Sequence, residues 1–100
     1  MNKVLEDLIA LELSNRIDFY WDGSRVKFRD EVEVDQGISV YVEGYFDYTY
    51  YHEDDTNATY MTWVEVNITD LTVMEDEDGN IPNVSINKSF VEKYLEQYLL

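Results

Sequence analysis

Residues 38–51, ISVYVEGYFDYTYY, decide the fold because apolar and aromatic side chains occupy every even-numbered position except Gly44. A period of two is typical of a strand with one buried face. An isolated glycine inside a strand predicts a bulge or tight bend, so we expect the alternation to reset at Gly44. The rings after it should then divide into a buried set, Phe46, Tyr48 and Tyr50, and an outer set, Tyr45 and Tyr51, with Trp63 of a later strand beside them.

Four other segments show the same period of two. Residues 17–21 and 25–29 flank Asp22-Gly23-Ser24, which predicts a hairpin turn. Residues 31–35 continue the second of these strands past a bulge near Asp30, or form a short strand of their own. In residues 60–73, Tyr60 and Thr62 should point inward and Met61 outward, with a phase slip near residues 69–70.

Two amphipathic helices complete the pattern. Residues 3–14 carry a wide apolar stripe, and a second stripe follows Ser89 and Glu92, which have the spacing of a capping box. Strands joined by short turns favour an antiparallel sheet. We predict an α+β fold in the order αββββα, with an antiparallel sheet of about four strands and both helices on one face. A chain of 100 residues has room for one core, so residues 1–100 should form a single domain.

The charge is strongly negative and unevenly distributed. The chain has 22 acidic and 7 basic residues, a net charge of −15, and residues 30–87 contain no Lys or Arg. Affinity for nucleic acid comes mainly from basic side chains that neutralise phosphates, so direct nucleic-acid binding is disfavoured. A base-free acidic surface instead attracts basic proteins over long distances. A solvated acidic face that only prevents aggregation explains the same composition.

Catalytic and metal-binding motifs are weak. The chain has no Cys and a single histidine, His52, and it lacks a Gly-x-Ser-x-Gly turn. The acidic segment at residues 52–55 offers metal ligands but is better explained as a solvated loop. Residues 74–85 match an EF-hand loop at three positions and fail at its first and last ligands, so a hairpin turn is favoured and weak calcium binding stays open. We expect no enzymatic activity and no cofactor.

The predicted partner-binding surface combines acids with exposed aromatic residues, which often dominate interface energetics. We expect a basic protein as partner, of the kind that itself binds nucleic acid, and a DNA-mimic inhibitor from a phage or mobile element is the most concrete version. The alternative is a virion or accessory protein that self-associates through its aromatic sheet face. The N-terminal segment has no signal-peptide core and no stretch is long enough to span a membrane, which predicts a cytoplasmic protein. The candidate residues are Glu31, Glu33, Asp35, Tyr45, Asp47, Tyr51, Glu53, Asp54, Asp55 and Trp63.

Overall fold

A computed structural model describes residues 3–17, 25–34 and 37–100 of the chain. Its elements are helix α1 (Lys3–Arg16), strands β1 (Arg25–Val34), β2 (Ile38–Glu53) and β3 (Ala58–Val73), and helix α2 (Lys88–Leu99). The strands form an antiparallel sheet in the order β1-β2-β3. The fold is therefore α+β, as predicted.

The sheet has three strands in the described residues, and the prediction of about four was wrong. The predicted first strand, residues 17–21, lies outside the described residues except for Ile17. The backbone N–H of Ile17 donates to the carbonyl of Leu13 at 2.9 Å, so Ile17 continues the hydrogen bonding of α1. The hairpin turn predicted at residues 22–24 also lies outside the described residues.

The bulges of the sheet belong to β3, and the alternation of β2 runs through Gly44 without a reset. The register of β2 and β3 shifts at the Glu43/Gly44 and Thr49/Tyr50 steps, where Thr69 and Thr62 are the extra residues of β3 that have no paired position on β2. The slip predicted near residue 69 is confirmed. The second bulge was not predicted, and it reverses the expected facing, because Met61 is buried while Tyr60 and Thr62 are exposed.

Gly44 has a steric rather than a conformational reason to be glycine. A Cβ atom at this position would lie 2.4 Å from the backbone oxygen of Asn67 and 3.0 Å from the Cα atom of Ile68. Real Cβ atoms do not approach backbone atoms this closely. β2 can approach β3 this closely beside the bulge at Thr69 because residue 44 has no side chain.

β1 is one continuous strand, without the bulge considered near Asp30. Its pairing with β2 runs unbroken from Arg25–Asp47 to Val34–Ile38. Asp30 consequently occupies an inward position on β1. There its carboxylate lies 3.4 Å from the guanidinium of Arg16 at the end of α1.

Both helices join the inner face of the sheet in one hydrophobic core. Glu6 of α1 is fully buried in this core, and its Oε2 atom accepts a hydrogen bond from the backbone N–H of Asn87. The N-cap of α2 is Asn87, whose side chain accepts from Ser89 N–H, so the predicted capping box at Ser89 was wrong. The fully buried members of the core include Ile9, Leu13, Val32, Val40, Val42, Phe46, Val91 and Leu95.

Glutamates of α2 bond to the edge of β3. Glu92 accepts a hydrogen bond from the N–H of Ile68 at 2.7 Å, and Glu96 accepts one from the N–H of Val66 at 2.9 Å. Four residues along a helix rise about 6 Å and two residues along a strand about 6.7 Å, so the two spacings match. The glutamates thus satisfy donors that another strand would otherwise take.

The β2–β3 hairpin projects beyond the rest of the described structure. β1 ends at the Arg25–Asp47 pair, whereas β2 and β3 remain paired as far as Glu53–Ala58. The molecule is accordingly elongated, with extents of 55 × 21 × 20 Å. We call the projecting part, residues 49–63, the arm.

Candidate partner-binding surface

The outer face of the sheet, opposite the two helices, carries most of the predicted site. Cross-strand partners share a face, so the register assigns the residues of this face directly. From β1 they are Arg25, Lys27, Arg29, Glu31 and Glu33. From β2 and β3 they include Tyr41, Glu43, Tyr45, Asp47, Thr49, Tyr51 and Glu53, and Tyr60, Trp63, Glu65, Asn67 and Asp70.

The predicted residues do not form one contiguous site. Glu31 and Glu33 lie at the end of the sheet near Ser39, whereas Tyr51 lies on the arm. Tyr51 follows Ser39 by twelve positions on β2, which corresponds to about 40 Å of extended chain. Tyr45 and Asp47 lie between these ends, Trp63 lies on the arm, and Glu53, Asp54 and Asp55 form its tip. Asp35 lies outside the described residues.

The centre of the outer face is not base-free, because the chain's own Arg25 occupies it. The guanidinium of Arg25 donates two hydrogen bonds to the Asp47 carboxylate, at 2.7 and 3.1 Å. The Cζ atom of Arg25 also lies 4.2 Å from the ring centroid of Tyr45. The hydrogen bonds lower the pKa of Asp47 and raise that of Arg25. Two of the predicted residues therefore already have a partner within the chain.

A second tyrosine–carboxylate contact lies further along β2. The hydroxyl of Tyr41 donates to Glu43 at 2.8 Å, which raises the pKa of Tyr41. Arg29 of β1 is the cross-strand partner of Glu43. The sequence missed these relationships because the bases precede residue 30, and only the β1–β2 register brings them beside residues 43–47.

The arm presents exposed aromatic side chains. Tyr51 is 51% exposed, and its ring centroid lies 5.5 Å from that of its cross-strand partner Tyr60, which is 48% exposed. Trp63 is 47% exposed in the neighbouring row, opposite Thr49. Tyr51 and Trp63 therefore lie close together on the arm, as the predicted outer ring set requires. Of the predicted inner set, Phe46 and Tyr48 are buried, but Tyr50 is 42% exposed because it lies on the arm.

His52 is part of the arm's own hydrogen bonding. Its Nδ1 atom lies 2.7 Å from the Thr59 hydroxyl, and its Nε2 atom lies 3.9 Å from the exposed carboxylate of Asp54. Within residues 3–17, 25–34 and 37–100, no three His, Asp or Glu side chains are grouped as metal ligands. The loop at residues 75–80 is closed by Asp76, whose carboxylate accepts the N–H groups of Asp78 and Asn80 at 2.9 Å each. This carboxylate stabilises the turn that the sequence favoured.

A shallow depression of about 380 Å³ opens beside Gly44. Lys27, Arg29, Tyr45 and Thr69 contribute to its lining. A second depression, of about 410 Å³, lies next to Ser39 and is lined by Glu33 and the acidic loop at residues 75–78. The outer face thus has basic residues on β1 and aromatic residues on the arm. Acidic residues lie at both ends of the molecule, at the arm tip and at the loop of residues 75–78.

Comparison with protein-family models, curated proteins and solved structures found no match to this chain. Neither helix of the described residues has the length and apolar composition needed to cross a membrane.

Proposed function

We propose that the protein is a non-enzymatic acidic interaction protein that binds a basic protein partner. The observation that carries the proposal is the shortage of internal partners for its acids. In the described residues, ion pairs with arginine involve Glu12, Asp30 and Asp47. No arginine of the described residues forms an ion pair with the other acids. These include the acids of the arm tip, Glu65 and the acids of the loop at residues 75–78.

Clustered carboxylates that lack an arginine partner within the chain favour binding of cations from outside it. Exposed ion pairs contribute little to folding stability, so the free protein loses little stability when these acids have no arginine partner. A negative surface also raises the rate of association with a basic surface and disfavours nucleic acid. The arm adds exposed aromatic rings, which supply contact area that charge alone does not.

The most concrete form of the proposal is a DNA mimic. Glu31 and Glu33 are alternate residues of β1, so their side chains share a face about 6.6–6.8 Å apart and would form part of a row that imitates a phosphate track. Such a protein would compete with nucleic acid for a host protein, as small inhibitors of phages and mobile elements do. It would act in the cytoplasm as a single domain of residues 1–100.

Affinity capture at low salt tests the proposal. The wild-type protein is immobilised beside a variant in which Glu53, Asp54 and Asp55 are replaced by Lys. We expect the wild type to retain basic nucleic-acid-binding proteins that the variant does not retain, and added DNA to displace them. Retention of the same proteins by both would contradict the proposal.

A matched control separates the arm from net charge. Replacing Glu75, Glu77 and Asp78 by Lys changes the net charge equally but alters the loop at the other end of the molecule. If the arm is the binding surface, this control retains more of the partner than the arm variant does. Equal loss in both variants would mean that only the total charge matters.

Self-association as a structural or assembly protein is the alternative. The exposed rings of Tyr51, Tyr60 and Trp63 favour it, because large exposed aromatic side chains often mark interfaces. Sedimentation over a wide concentration range separates the two functions. A strict monomer would exclude the alternative, whereas a concentration-dependent dimer that Tyr51→Ser abolishes would support it.

A further inference from the structure

The outer face repeats one arrangement four times: an aromatic residue followed two positions later by an acid on the same face. We call these the aromatic–acid pairs. Alternate residues of a strand share a face, so each ring lies next to its carboxylate. The pairs are Tyr41 and Glu43, Tyr45 and Asp47, Tyr51 and Glu53, and Trp63 and Glu65.

One of these pairs binds an arginine of the chain itself, and a second lies opposite an arginine on β1. Arg25 lies over the Tyr45 ring and donates two hydrogen bonds to Asp47. Arg29 lies opposite Glu43, which also accepts the Tyr41 hydroxyl. The Tyr45–Asp47 pair therefore shows what this arrangement can bind: a guanidinium group that contacts a ring and a carboxylate together.

The other two pairs, Tyr51–Glu53 on the arm and Trp63–Glu65 at its base, have no arginine as a cross-strand partner among the described residues. The cross-strand partners of Tyr51 and Glu53 are Tyr60 and Ala58, and those of Trp63 and Glu65 are Thr49 and Asp47. None of these partners is basic. The rings of Tyr51 and Trp63 are about half exposed, so part of each ring is accessible to a partner.

We infer that the arm and the adjoining Glu65 bind arginine side chains from an extended segment of the partner, one at the Tyr51–Glu53 pair and one at the Trp63–Glu65 pair. This inference rests on the proposed function and specifies its partner. A guanidinium stacks flat on an aromatic ring and donates two parallel hydrogen bonds to a carboxylate, whereas an ammonium group cannot do both. Arginine, rather than lysine, is therefore the preferred cation.

The spacing of the two rings favours arginines at alternate positions of the partner. Tyr51 and Thr49 are two residues apart on β2, and Trp63 lies opposite Thr49. The rings thus occupy neighbouring rows on adjacent strands of one sheet face, about 6.6–6.8 Å apart along the strands and about 4.7–4.9 Å apart across them. Alternate side chains of an extended peptide match the separation along the strands, and the long arginine side chain spans the offset across them, so an Arg-x-Arg segment reaches both rings.

Calorimetric titration with two synthetic peptides tests the inference. One peptide alternates Arg and Thr, and the other alternates Lys and Thr at the same length and charge. Because a guanidinium can stack on a ring and bond to the neighbouring carboxylate at the same time, whereas an ammonium group cannot, we expect roughly tenfold tighter binding of the arginine peptide. The double variant Tyr51→Leu/Trp63→Leu, which changes only half-exposed side chains, should bind both peptides equally.

The acids are tested by a matched comparison. Glu53→Gln/Glu65→Gln should reduce the preference for arginine, whereas Glu75→Gln/Glu77→Gln, with the same change of net charge, should retain it. Equal affinity of the wild type for the two peptides would overturn the inference, while a steep salt dependence of both would leave the proposed function standing. Binding of neither peptide would also overturn the inference, and the proposed function would then depend on capture of a basic protein.

Discussion

The carboxylate of Glu92 accepts a hydrogen bond from the backbone N–H of Ile68 at 2.7 Å, so a helix side chain stands where a neighbouring strand would pair. Glu96 makes the same bond to Val66 one turn later. Sheet edges with free donors tend to recruit other chains. These bonds therefore stabilise the fold and also leave fewer free donors at the edge of β3 for another chain to bind.

Glu92→Ala should lower the free energy of unfolding by about 1–3 kcal/mol, because the Ile68 N–H loses a charged acceptor in a partly buried place. Urea denaturation measures the change. Glu92→Gln keeps an acceptor oxygen and should cost less, and Gln97→Ala, at an exposed position of α2, should cost almost nothing. If Glu92→Ala costs no more than Gln97→Ala, the edge bond does not stabilise the fold.

Gly44→Ala should be among the most destabilising single-methyl additions in this chain. The new Cβ atom would meet backbone atoms of Asn67 and Ile68, which cannot rotate away, so we expect a loss of about 3 kcal/mol or more. Gly37→Ala is the matched control, because Gly37 has a φ of 74° with no atom within 4 Å of an added Cβ, and only backbone strain of about 1–2 kcal/mol applies. Thermal unfolding of both variants measures the difference, and equal losses would contradict the steric explanation.

The Arg25–Asp47 pair should make stability depend on pH in the acid range. The hydrogen bonds from Arg25 lower the pKa of Asp47 in the folded protein. An acid with a lowered folded pKa contributes stability above its unfolded pKa of about 3.9, and this contribution is lost as the pH falls through the folded value.

Asp47→Asn should therefore be less stable than the wild type at neutral pH, and the difference should shrink as the pH falls below about 4. Denaturant midpoints at several pH values give the measurement. Asp55→Asn, which removes one exposed carboxylate of the tip turn and changes the net charge equally, is the matched control. A gap between wild type and Asp47→Asn that is constant with pH would contradict the assignment.

Sequence periodicity predicted the elements that depend on local pattern. The stripe of α2 buries Val91 and Leu95, and the even positions of β2 from Val40 to Tyr48 are buried, as a period of two requires. Both signals come from a single segment of chain. They need no knowledge of the neighbouring element.

The errors concern relationships between distant segments. Met61 faces inward because of a bulge at Thr62, which exists only in the pairing with β2. Glu92 matches a capping box by spacing, yet Asn87 caps the helix and Glu92 bonds to β3 instead. The partnership of Arg25 with Asp47 likewise depends on the register of β1 and β2, for which the sequence between them holds no local signal.

The most direct test of the central claim is the salt dependence of partner binding. The dissociation constant of a captured basic protein is measured from about 50 mM to about 500 mM salt, a range over which the Debye length falls severalfold. We predict that the affinity falls by at least tenfold across this range, and falls less for the variant with Lys at positions 53, 54 and 55. An affinity that stays constant from low to high salt would contradict the account.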